Sequence, residues 1–474
     1  MIKKGKLSRL FLLFAPMPFI LLGVLFCQGE AGGAGVEEYV AELLNKSAPY
    51  SLLSRDLFEK LGTDLALPDG GKTVKSLADK APGGAFDPRD LEKISSKTLG
   101  YKAKWTVVRY PYYGLDWDIT GLRLESLNPA AKKLPWLVIL NGGSANLYEF
   151  YLDPFNNTGL GQYLAQKVNV LIVTIPGNFK YGGWTEPIPQ RAPQYLLDKD
   201  LPADEVSVRN AIYTNMMEME GLKRLILQET SGDVLIVGHS TSGELAFLSM
   251  GDPELASRLK GRFLGWGSGG PSNLRKEWEE QVGIRPRTIK NVSSYPPLWQ
   301  LRPRDAQNYV ESGYIGPLNP CGKPGMKDLD VAQQWLSMEE RRRPNFKQVL
   351  QDVEHNGMVE LQSKMEKEIK QALTSTKLSV RPEDVLKDMF ATNHAPLKGY
   401  KKMVWVVAKW DTGHWHKETA DKARELTIAN QFRERNPEAA IRILVFDLPM
   451  THYGHIEMAR QVAGGLIEAM NWLQ

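Results

Sequence analysis

Cysteine is nearly missing from this chain. Cys27 and Cys321 are the only two in 474 residues, so a fold stapled by several disulfides is excluded and stability has to come from a hydrophobic core. Net charge is also close to absent. The formal +4 is concentrated in Lys3, Lys4, Lys6 and Arg9, which only Glu30 offsets within residues 1–34, and the remainder is almost neutral. Nucleic acid is therefore not an expected partner, and the basic cluster Arg341, Arg342 and Arg343 reads as a solvated helix face. There are no internal repeats. No Gly-rich dinucleotide fingerprint or phosphate loop stands in a strand–helix context, so no cofactor is expected. His414 and His416 lie close together but lack a further ligand motif, and no metal is expected either.

What is present first is a basic start, an apolar stretch over residues 10–27 and a small-residue run over 29–35. That order is the layout of a secretory signal peptide. The stretch contains Pro16 and Pro18 and is slightly short of the roughly 20 residues of a spanning helix, which favours cleavage over a retained anchor. The expectation for 1–34 is a signal peptide or N-terminal anchor, giving a secreted or extracytoplasmic protein with membrane association through that segment as the alternative.

Residues 35–100 contain the breakers Asp69-Gly-Gly and Pro82-Gly-Gly and read as short helices and loops, a lead-in to the main domain. From Tyr101 the pattern turns to strands. Residues 104–110 and 119–125 alternate apolar and polar, as half-exposed antiparallel strands do. Residues 136–141, 168–175, 233–238 and 262–266 are nearly continuous apolar runs, suited to strands covered on both faces. Helical periodicity fills 204–228. This alternation predicts an α/β fold, a mostly parallel sheet flanked by helices. The pattern is interrupted over 271–396, which is rich in proline and charge, and resumes at 403–408 and 441–446 before a terminal helix over 455–473. The interruption reads as a helical cap inserted into one sheet.

The chemistry-bearing motif follows the run at 233–238. In Gly238-His-Ser-Thr-Ser-Gly, small residues before and after Ser240 permit a tight strand-to-helix turn that pushes its hydroxyl outward, the open perch a serine nucleophile requires. A glycine-rich turn after a strand can match such a pattern by chance, so the partners of Ser240 matter. The motif in this context resembles the nucleophile elbow of the α/β-hydrolase superfamily, and the resemblance covers about residues 101–474 in element order. The two parts of the core would be 101–270 and 397–474, with 271–396 as the cap. Ser242 departs from the family pattern, in which a glycine is usual at that position.

The resemblance implies a Ser-Asp-His triad in the order nucleophile, acid, histidine. Asp411 closes the run Val407-Ala-Lys-Trp-Asp, where the family has its acid; the same residue suits a helix N-cap. After the last strand, Thr451-His-Tyr-Gly-His-Ile-Glu offers two imidazoles, His452 as the expected base and His455 as the alternative base. His239 resembles the family's usual residue beside the nucleophile. The oxyanion hole implied by the resemblance has one N–H from Thr241 and a second from the loop Asn141-Gly-Gly-Ser, where Gly143 is the choice; a plain glycine turn is the competing reading. The expected activity is a serine hydrolase cleaving small-molecule carboxylic esters through an acyl-enzyme on Ser240. A serine peptidase or acyltransferase could use the same residues, and a non-catalytic binding protein on the hydrolase scaffold is the alternative from another class.

Overall fold

Uninterrupted aliphatic runs are stable as strands only when both faces are covered, and here six of them build the centre of one sheet. The computed structural model describes residues 50–53, 64–67, 70–80, 86–140, 142, 147–151, 159–177, 194–268, 270–271, 274, 366–376, 378–408, 428–446 and 454–474. Its strands are β1 (Tyr50–Leu53), β2 (Tyr101–Tyr112), β3 (Leu115–Ser126), β4 (Trp136–Leu140), β5 (Val170–Thr174), β6 (Val234–His239), β7 (Arg262–Trp266), β8 (Lys402–Ala408) and β9 (Ala440–Phe446). They form a single nine-stranded sheet in the order β1-β9-β8-β7-β6-β4-β5-β3-β2. All pairings are parallel from β1 through β5, and β3 and β2 close the sheet as an antiparallel hairpin. The predicted α/β class, with helices on both sides of a mostly parallel sheet, is the class observed.

The period of two divides the core into two layers. Trp136, Val138 and Leu140 of β4, with Val234 and Ile236 of β6, face one layer beneath the helices Ala203–Ala211, Asn215–Glu229, Gly243–Ser249 and Pro253–Leu259. Leu137, Ile139, Leu235 and Val237 face the other, beneath the helices Gly70–Lys80, Leu160–Leu164 and Ala459–Leu473. The same alternation continues along β8 and β9.

Four local features differ from the sequence expectation. The lead-in supplies a strand, β1, which runs parallel to β9 from Tyr50 opposite Ile443 to Leu53 opposite Phe446; four residues are too few to show a period. β3 is buried along most of its length rather than alternating, because β2 and β5 pair with its two edges and the Asn215–Glu229 helix covers its apolar side chains. The helix expected over 204–228 is two helices. Thr214 stops the first register and caps the second, its side chain accepting the Met217 N–H at 3.1 Å, as an N-cap threonine does. The terminal helix likewise breaks at Met458 into a turn, Gly454–Glu457, and the long Ala459–Leu473 helix.

β7 and β8 are hydrogen-bonded neighbours although residues 267–401 separate them in sequence. Most of the predicted cap lies outside the described residues. Its returning end, the helix Pro382–Met389, packs on the body, where Asn215 Nδ2 donates to the Met389 carbonyl at 3.0 Å.

Candidate active site

The chain leaves β6 at His239 and turns at once through the 3-10 segment Ser240–Ser242 into the helix Gly243–Ser249. To make this reversal Ser240 adopts φ 55°, a left-handed conformation that residues other than glycine seldom take and that costs about 1–3 kcal/mol when imposed. Its side chain is partly buried, between the buried His239 and Ser242.

Two glycines leave the room for this turn. A Cβ on Gly238 would lie 2.5 Å from Gly243 Cα and 2.7 Å from Gly243 N, so the strand end and the helix start touch backbone to backbone. On the other side a Cβ on Gly142 would lie 2.7 Å from Ser240 Cβ and 2.8 Å from the His239 carbonyl oxygen. The segment after β4 thus passes directly against Ser240.

Ser242, the departure from the usual glycine, is built into the turn. Its Oγ stands 2.9 Å from the Leu140 carbonyl and 2.8 Å from the His239 carbonyl, the last residues of neighbouring strands β4 and β6. The sequence shows Ser242 only as an irregularity, and in the Asn141-Gly-Gly-Ser loop it does not tell Gly142 from Gly143. The sequence signal is only the adjacency of two glycines; that Gly142 is the one packed against the turn follows from tertiary contact.

Beneath the elbow lies a buried ring cluster. The His455 ring stacks on Phe150 with centroids 4.3 Å apart and planes 2° apart, and meets His239 edge-on at 4.4 Å. The Trp266 indole N–H donates to His455 Nδ1 at 3.1 Å, so this nitrogen is an acceptor and a neutral ring carries its proton on Nε2. The helix Leu147–Tyr151, which supplies Phe150, is fixed at both ends. Leu147 N–H donates to Thr174 Oγ1 at 3.0 Å, and the Tyr151 and Tyr101 hydroxyls are hydrogen-bonded at 2.8 Å. Burial pushes both phenols above their ordinary range, so they stay protonated.

The structure therefore brings together Ser240, the backbone of Thr241 directly after it, and the segment at Gly142, while His455 sits fully buried among Trp266, Phe150 and His239. Asp411, His452 and Gly143 lie outside the described residues, as do His414 and His416.

No family model and no curated protein matches the chain. Among solved structures it is similar to one titled a membrane phospholipase A, a novel bacterial virulence factor, at 12% identity over 79% of this chain and 87% of that one, with a TM-score of 0.38. It is also similar to 2-hydroxy-6-oxo-6-phenylhexa-2,4-dienoate hydrolase from Rhodococcus sp. strain RHA1, at 15% identity over 78% and 100% of the two chains and a TM-score of 0.35. A fungal esterase from Rhizomucor miehei gives 11% identity, 86% and 97% coverage and a TM-score of 0.35.

Proposed function

We propose that the chain is a serine hydrolase of the α/β-hydrolase type, acting on small-molecule carboxylic esters through an acyl-enzyme on Ser240. The observation that carries the reading is the backbone of Ser240. A serine held at φ 55° between a parallel strand and a helix, where a Cβ on Gly238 would meet Gly243 backbone and one on Gly142 would meet Ser240 Cβ, is strained where strain serves to present a hydroxyl.

In this reading Ser240 Oγ attacks the acyl carbonyl and its proton passes to His452, which Asp411 orients and stabilises as an imidazolium. The N–H groups of Thr241 and Gly143 receive the developing oxyanion, each contributing about 2.7–4 kcal/mol where such donors have been removed. His452 then protonates the leaving alcohol, and water repeats the sequence in reverse to free the acid. The state of His455 supports His452 as the base: a triad histidine donates from Nδ1 to its acid, whereas Nδ1 of His455 accepts from Trp266. The proposal includes a secreted or extracytoplasmic location, with membrane association through a retained 1–34 segment as the alternative, supported by the basic start and the apolar stretch.

Labelling with a fluorophosphonate probe tests the nucleophile. Wild-type protein should be labelled and hydrolyse short acyl esters, and Ser240→Ala should lose both, with turnover falling about a thousandfold or more. Equal labelling of the two proteins would refute the assignment. Product analysis with peptides and with acyl acceptors in place of water distinguishes ester hydrolysis from peptidase and acyltransferase chemistry on the same serine.

A further inference from the structure

We infer that Ser242 is a positioning residue that holds the nucleophile and the oxyanion loop in one rigid unit; the inference rests on the serine-hydrolase reading and adds to it a residue with no part in the chemistry itself. β4 and β6 are adjacent parallel strands, with Leu140 opposite Gly238. Both chains leave the sheet at this edge, one after Leu140 and the other after His239. Carbonyls at a strand end run out of ladder partners and must find others when buried. The hydroxyl of Ser242, itself buried, reaches both of them, 2.9 Å to Leu140 O and 2.8 Å to His239 O, and its one proton is shared between the two.

A closed circuit results. Leu140 leads in two residues to Gly142, packed so close that a Cβ there would lie 2.7 Å from Ser240 Cβ. Ser240 leads in two residues to Ser242, whose hydroxyl returns to Leu140. One leg of the circuit carries the nucleophile and the other starts the loop from which an oxyanion donor is expected. A glycine at 242 would leave the turn feasible but open the circuit, so the usual residue of the pattern is here the weaker choice. Reaction rates are steep in such geometry, since a misplacement of about 1 Å can cost on the order of a hundredfold.

The test uses the full chain with Ser242→Ala and Ser242→Gly, and reads three quantities: thermal midpoint, fluorophosphonate labelling together with ester kcat and KM, and hydrogen–deuterium exchange of the segment containing residues 140–142. Both variants should remain folded and exchange faster at 140–142. Their labelling rate and kcat should fall about 10- to 100-fold, with KM changed by less than about twofold because the substrate contacts are untouched. Unchanged exchange overturns the inference, and so does faster exchange with an unchanged labelling rate and kcat. If the wild type itself takes no label, the serine-hydrolase reading fails, and the exchange comparison still decides whether Ser242 couples the two strand ends.

Discussion

Ser240 and Tyr113 have almost the same backbone angle, φ 55° and 53°, and their surroundings give the two strained residues different meanings. Tyr113 stands with Gly114, φ 77°, in the two-residue turn of the β2–β3 hairpin, where both central residues need positive φ so that the turn follows the twist of the strands. Its strain is required by topology. The Tyr113 and Tyr112 hydroxyls both donate to Asp388 Oδ2, which ties the hairpin tip to the Pro382–Met389 helix. A Cβ on Gly114 would meet only Leu378 Cδ2, at 3.5 Å. At Ser240 no hairpin demands the angle, and the neighbouring glycines have backbone or the serine itself within 3 Å of where a Cβ would be. Positive φ alone does not mark a site; Ser240 is set apart by its place between a parallel strand and a helix, with Gly142 packed against its Cβ.

The comparison predicts unequal effects of the same substitution. Gly238→Ala forces a methyl against Gly243 backbone, which cannot rotate away, and should cost about 3 kcal/mol, the upper end of ordinary overpacking, together with at least a tenfold loss of ester turnover. Gly114→Ala has space and pays only for its angle, about 1–2 kcal/mol, with turnover unchanged. Denaturant midpoints and turnover of the two variants check this. Equal costs, or activity lost at Gly114, would dissolve the contrast between the two regions.

A smaller effect sharpens the division of labour between the two histidines. His455→Phe keeps the stack on Phe150 but removes the acceptor of the Trp266 N–H, a buried loss of about 1–3 kcal/mol. His455→Asn offers an oxygen near the position of Nδ1 and should recover part of that stability. With His452 as base, the asparagine variant keeps most of its turnover while His452→Asn does not. Equal inactivation of the two asparagine variants, both folded, would return His455 to candidacy as the base.

The ease of reading these features from sequence follows the length scale of the physics behind them. Buried strands such as β4 and β6 are legible because every residue along them meets the same environment, and Gly238-His-Ser is legible because a strand, a sharp turn and a helix each leave local signals. Ser242 is not, since its value lies in Leu140, a hundred residues away in sequence, whose carbonyl it reaches. Gly142 and Gly143 differ only in which one meets Ser240, a matter of tertiary contact. The burial of His455 depends on Trp266 and Phe150, which share no pattern with it. β1 escaped because its pairing with β9 is all that makes it a strand.

The hairpin end should give the mildest response. Asp388→Asn can still offer one oxygen to both phenols, as Oδ2 does now, but removes the charge that strengthens both bonds. Burial and the Asp388 carboxylate hold Tyr112 and Tyr113 above their ordinary range, so both remain donors throughout the neutral and mildly alkaline range. The expected cost is about 1 kcal/mol, read as a lower urea midpoint, with fluorophosphonate labelling of Ser240 unchanged. A labelling rate that fell with the midpoint would mean that the hairpin tip and the Ser240 turn are coupled through the Pro382–Met389 helix.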